Sequence, residues 1–203
     1  MEISDSTSTG LLSMVMFALA TSITPGPVNV LSFASGARFG VVKSLPYVLG
    51  ATAGFVGVLL LLGGGAQSVI GFIQAYSTPI ALLGGGYMLY LAWRIGTAPG
   101  EVSSAGPDAR PGLLSGLFTQ TSNPKAWFVA LSAVSLYVLP HPAPMLQLSA
   151  FAVVFFVVCF LSLLVWVVVG AQISRAGFDA RIVNRVMAVV LAASVLIMLR
   201  GVL

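Results

Sequence analysis

The sequence predicts an all-α polytopic membrane protein. Six transmembrane helices are expected as two three-helix repeats of inverted topology, with the first and fourth helices broken at proline motifs. Apolar residues make up 58% of the chain and charged residues 7%, against roughly a quarter charged in soluble domains. Mean hydropathy is +1.05. Two apolar runs, one in each half, are interrupted by proline and open alike, on Gly10-Leu11-Leu12-Ser13 and Gly112-Leu113-Leu114-Ser115. At about 20 residues per crossing, the chain holds no separate soluble domain, so 1–203 reads as one transmembrane domain.

Met1 to Thr9 is a polar, acidic tail without the basic start of a secretory signal, so the first apolar segment is expected to be retained. The first crossing runs from about Leu11 to Gly36 and ends at Arg38. Its middle carries Thr24-Pro25-Gly26-Pro27-Val28-Asn29. Proline lacks the amide hydrogen and clashes with the preceding turn, so two half-helices should meet at membrane depth. The backbone groups freed there must face protein or a wet cavity. The uncharged stretch between Lys43 and Arg94 is divided by Gly63-Gly64-Gly65 and the polar residues through Gln67, Gln74, Ser77 and Pro79. Crossings at about Leu45 to Leu62 and Pro79 to Trp93 complete repeat one, 10–95.

Prolines, glycines, serines and acids fill the segment before Gly112, giving an aqueous linker over 96–111. Repeat two, 112–203, begins with a fourth crossing from Leu113 to Leu139, broken at Ser122-Asn123-Pro124-Lys125. Pro140-His141-Pro142-Ala143-Pro144 makes a stiff turn into the fifth crossing, Met145 to Ala171. The sixth, Ile182 to Leu199, is only marginally long enough to span.

Arg38, Lys43, Arg94, Arg110, Arg175, Arg181 and Arg185 fall in one set of connections and Arg200 in the other. The positive-inside rule places the first set in the cytoplasm and both termini outside. Each half has an odd number of crossings, so the second enters from the opposite side. Gly50 and Gly54, with Gly57 following and Gly84-Gly85-Gly86 in the next helix, offer close helix packing. Such faces permit a homodimer without placing its surface. Tyr87, Tyr90 and Trp93 read as an aromatic belt at the cytoplasmic boundary.

The nine basic residues are dispersed, which removes nucleic acid as a partner. Cys159 is the single cysteine, so no disulfide or dithiol pair forms, and it reads as a small core residue. The single histidine, His141, sits between prolines in an outer turn, and Glu2, Asp5, Glu101, Asp108 and Asp179 all fall in tails or loops. No cofactor or metal site and no enzyme activity are expected from that inventory. A passive channel is the alternative to a transporter, and an intramembrane enzyme a more distant one.

Interrupted segments at corresponding places in two halves point to a secondary transporter's binding site. The candidate binding residues are Thr24, Pro25, Gly26, Pro27, Asn29, Ser32, Asn123, Pro124 and Lys125. Helix starts near Pro27 and Pro124 present amides and a positive dipole end, which suit a carboxylate. Carbonyls freed near Ser22, Ile23, Gln120 and Thr121 suit an ammonium. Helical spacing puts Asn29, Ser32, Phe33 and Gly36 on one face with room beside them, and Lys125, Phe128 and Ser132 on another. Placing Lys125 at membrane depth costs on the order of 2.5–3.5 kcal/mol on insertion scales. It either lines the cavity, pairing with a carboxylate or exchanging a proton, or caps carbonyls of the first break. The lack of an acid within any crossing favours neutral small-molecule amino acids as substrate.

Thr24-Pro25-Gly26-Pro27-Val28-Asn29, then Gly36, Gly40, Gly50 and Gly54, then Asn123-Pro124-Lys125-Ala126-Trp127, resemble the lysine exporter (LysE/RhtB) family of bacterial amino-acid efflux proteins. The resemblance covers nearly the whole chain. Gly86 to Pro99 is similar to the cysteine/O-acetylserine exporter branch. The resemblance implies proton-driven export of amino acids or derivatives across the bacterial inner membrane, with cysteine/O-acetylserine-like or threonine/homoserine-like cargo. Val28 stands where many relatives have asparagine, and the sixth helix, through Met187, Ala192, Ala193 and Ser194, is less glycine-rich than theirs.

Overall fold

A computed structural model describes residues 2–65, 75–97 and 112–200. The turn expected through Gln67 and Gln74 and most of the expected linker, 98–111, lie outside the described residues. Those described form eight helices and no strand: α1 Glu2–Ile23, α2 Pro27–Phe39, α3 Val41–Gly64, α4 Ser77–Gly96, α5 Leu113–Thr121, α6 Pro124–Ala133, α7 Pro144–Arg175 and α8 Ala180–Arg200. A π-helical turn, Val134–Val138, extends α6.

Both proline motifs break their helices. The axes of Gly10–Ile23 and Pro27–Phe39 meet at a bend of 64°. Ser122 and Asn123 separate α5 from α6. Each second half-helix starts on proline, whose missing amide and fixed φ suit a first helical position. Helix α1 begins in the stretch expected as a tail: once nucleated by the apolar run, a helix extends at low cost until something stops it, and residues 2–9 contain no proline. Gly40, φ 77°, turns α2 into α3, and Gly177, φ 72°, lies between α7 and α8; both angles favour glycine.

Val41–Gly64 and Pro144–Arg175 are each long and apolar enough to cross a membrane, and the bent α1–α2 pair adds a third span when counted as one. Val153, Val157, Leu161 and Val165 form an exposed stripe along α7. That outward apolar face fits hydrocarbon rather than water.

Helices α3 and α7 are the centre of the packing. Helices α1 and α2 lie on α7, α5 and α6 on α3, and α4 pairs with α8. Two of these contacts run backbone to backbone. The carbonyl of Val167 occupies the space of a side chain at Gly36, and that of Phe33 the space at Gly170, so α2 and α7 interlock. Gly50 against the Leu113 carbonyl and Gly116 against the Tyr47 carbonyl do the same for α3 and α5. The close packing expected of Gly50 is thus present, whereas Gly57 faces open space. At one end of the core Phe17, Tyr137, Phe151, Phe155 and Phe55 stack in a chain, with Phe55 and Phe155 centroids 4.5 Å apart. This fastens α1 and the π turn to α3 and α7.

Candidate functional site

A helix that stops inside an apolar bundle leaves its last carbonyls without partners. At the end of α1 each of four successive carbonyls has a side-chain donor. The Thr24 hydroxyl donates to Thr21 O at 3.0 Å, and Asn29 Nδ2 to Ser22 O at 2.8 Å. Trp166 Nε1 of α7 donates to Ile23 O at 3.2 Å. Lys125 Nζ of α6 donates to Thr24 O at 2.8 Å and to the Thr24 hydroxyl oxygen at 2.9 Å. The second break is closed more locally: Asn123 N donates to Gln120 O at 3.1 Å and Trp127 Nε1 to Thr121 O at 2.7 Å.

This changes one expectation. The carbonyls of Ser22, Ile23, Gln120 and Thr121 are engaged by the protein's own donors rather than held open for an ammonium. Dry surroundings make an unpaired carbonyl expensive, so the fold supplies partners from three other helices.

The two half-helix starts differ. Asn123, 6% exposed, caps α6 by accepting from Lys125 N at 3.1 Å. Its amide also donates to Gln120 Oε1 at 3.3 Å. Helix α2 starts from Gly26 with no side-chain cap, so its positive end is left open. A side chain on Gly26 would begin 3.4 Å from Lys125 Cδ and 3.5 Å from Nζ. Glycine there lets the ammonium lie against the break.

Three hollows meet at the breaks. The innermost, about 30 Å³, lies among Ser22, Val28, Asn29, Gln120, Lys125 and Cys159. It has room for about one water molecule and none for an amino acid. A second, of about 360 Å³, is bounded by Thr24, Pro25, Gly26, Pro27 and Lys125 on one side and by Met88 of α4 and Leu191, Ser194, Val195 and Ile197 of α8 on the other. A third, of about 230 Å³, lies between α2, α4 and α5 and reaches Ser122, Asn123 and Pro124.

Of the sequence-predicted residues, Thr24, Pro25, Gly26, Pro27, Asn29, Asn123, Pro124 and Lys125 therefore border these hollows. Ser32 does not: it is fully buried, its hydroxyl has no hydrogen-bond partner among the described residues, and it lines none of the three. The room expected beside Phe33 and Gly36 is filled by the α7 backbone. Lys125 occupies both positions weighed for it, capping the first break and facing the hollows. Trp166, Met88 and Ser194 carry no local motif, since their place depends on which helix lies beside them. Gln120 was detectable as a polar residue one turn before Asn123.

A family profile described as LysE type translocator matches residues 19–201. The cysteine/O-acetylserine efflux protein of Salmonella choleraesuis is 33% identical over 128 residues, which is 62% of this chain and 64% of that one. The chain thus spans just under two thirds of that relative's length. The cysteine/O-acetylserine efflux protein of Klebsiella pneumoniae is 26% identical over 170 residues, 83% of this chain and 86% of that one. The protein of that name from Escherichia coli K12 is 31% identical over 136 residues, 66% and 69% of the two chains. No solved structure matches.

Proposed function

This chain belongs to the LysE type translocator family, and on that premise we propose that it exports small neutral amino acids or their derivatives from the bacterial cytoplasm. The relatives' names support cargo of the cysteine or O-acetylserine kind. The observation that carries the reading is the junction of the breaks, where the Lys125 ammonium lies against Thr24 beside a hollow of about 360 Å³. Pockets for drug-sized ligands start at about 300 Å³, and a small amino acid needs less.

In this reading the cargo carboxylate approaches the uncapped start of α2 and the Lys125 ammonium, which has a third hydrogen beyond the two given to Thr24. The anionic carboxylate draws that ammonium more strongly than the neutral Thr24 oxygens do, so binding loosens the tie between the two breaks. Ser194, whose own hydrogen goes to Val190 O at 2.7 Å, offers lone pairs to the cargo ammonium across the hollow. The apolar wall from Met88, Leu191, Val195 and Ile197 suits a small uncharged side chain. Lys125 is also the proton-coupling candidate. The six crossings, the inverted repeats and the exterior termini belong to this same proposal.

The test is efflux from preloaded vesicles across cysteine, O-acetylserine, serine, threonine, leucine and lysine, with and without an uncoupler. Uphill export of small neutral cargo that stops with the uncoupler is the expected result. Preferred export of lysine would overturn the assignment of cargo, and flux that only ever runs downhill would make the protein a channel.

A further inference from the structure

On the export reading, we infer that the hollow of about 230 Å³ beside the second break is a second cargo site in series with the first, and that Met88 is the partition between them. The two hollows have only Pro27 and Met88 in common. Proline is rigid. Methionine is unbranched, with rotatable bonds that let it fill or vacate a gap. Met88 is 3% exposed and packs with Val30, Leu91, Leu191 and Val195, so its side chain stands between the two spaces rather than at a rim.

The chemistry of the two spaces is complementary. The first offers a cation and an open helix start. The second is bordered by Ser115 and Thr119, one turn apart on α5, and by Ser122 just past its end. Ser115 gives its hydrogen to Gly112 O at 2.8 Å and Thr119 gives its own to Ser115 O at 2.7 Å. The Ser115 hydroxyl therefore turns oxygen lone pairs outward, and the Thr119 hydroxyl, which also meets the Tyr47 hydroxyl, keeps one lone pair for an ammonium or for the hydroxyl or thiol of a small side chain. From the break this space runs back along α5 as far as Ser115, in the direction of Leu113, and along α2 as far as Leu31, in the direction of Phe39. That is the end the basic residues assign to the cytoplasm. Cargo enters by its ammonium and side chain at the hydroxyl face, passes Met88, and delivers its carboxylate to Lys125.

The experiment is counterflow of labelled serine and leucine in proteoliposomes of the full chain, with Met88→Ala, Met88→Ile and Thr119→Val. Met88→Ala merges the spaces and is expected to raise the leucine-to-serine rate ratio by at least about fivefold. Met88→Ile, stiff at χ1, is expected to slow both cargoes with little change in ratio. Thr119→Val, on a partly exposed face, is expected to raise KM for serine about fivefold at unchanged kcat. A Met88→Cys chain gives a reading independent of rates: a methanethiosulfonate adduct located at position 88 by peptide mass should be suppressed by saturating serine. A wild-type chain inert toward every cargo overturns the export reading and this inference with it. Wild-type transport with the ratio and KM both unchanged within about twofold in the variants overturns the second site alone, and an adduct at 88 that serine leaves untouched while the chain transports it overturns the passage of cargo by Met88 in either hollow.

Discussion

Lys125 Nζ lies 2.8 Å from the carbonyl oxygen of Thr24, so a residue in the first turn of α6 closes the end of α1. This contact joins positions from the two halves of the chain, and it makes the breaks a single structural unit. Lys125→Met removes the donor while keeping the side-chain length. Loss of a charge-assisted hydrogen bond costs about 1.5–3 kcal/mol, so the variant should melt earlier in detergent and lose export. Thr24→Val keeps the carbonyl contact and should retain more of both. Equal loss of thermal stability in the two variants would show that the carbonyl bond is not the stabilising one.

Gly26 sits where a side chain would touch Lys125 and Asn29, with its backbone extended at φ −164°. Any residue can adopt that backbone, and one methyl fits at ordinary contact distance. Gly26→Ala is therefore expected to fold normally with reduced export, and Gly26→Val to fold with export lost, because the larger group displaces the ammonium. Yields and melting curves beside efflux rates check this; a fully active Gly26→Val would place cargo elsewhere.

Gly36 and Gly170 each receive a carbonyl from the facing helix. Overpacking a tight contact typically costs about 1–3 kcal/mol, and here the obstacle is backbone on both sides. Gly36→Ala or Gly170→Ala should sharply reduce the amount of monodisperse protein recovered, while Gly57→Ala, in open space, should not. Comparable recovery of all three would contradict the α2–α7 interlock.

Asn123 is the cap of α6. Asn123→Ala should destabilise by about 1 kcal/mol, and Asn123→Asp should restore the cap because its oxygen accepts the same amide. Thermal unfolding of the pair decides the point, with identical losses in both variants as the contrary outcome.

The breaks were legible in the sequence because proline's effect is local: Pro25 with Gly26 and Pro27, and Pro124 after Asn123, stop one helix and start the next, whereas the isolated Pro46 is accommodated within α3. Lys125 and Thr24 were each identified beside their own break, yet their contact depends on how two helices cross, which no periodicity records. The same holds for Trp166, which reaches Ile23 from another helix, and for Met88, an ordinary apolar residue on a helix face. The stripe of Asn29, Ser32, Phe33 and Gly36 was correct as helix geometry, but what lies opposite it is the backbone of α7, and a side-chain pattern carries no sign of that. Residues 2–9 were read from their polarity, whereas the backbone there follows the helix that begins beyond them.

The carbonyls of Thr21, Ser22, Ile23 and Thr24 take their hydrogens from Thr24 itself and from α2, α7 and α6. Drawing any one of those helices away strands at least one oxygen, and drawing them all away strands several at once. The inner end of α1 therefore serves as a fulcrum. Neighbouring parts can pivot around it, but the pivot itself yields only when other groups take over a bond it holds, as a cargo can by accepting from Lys125 with its carboxylate while its ammonium donates to the freed Thr24 carbonyl.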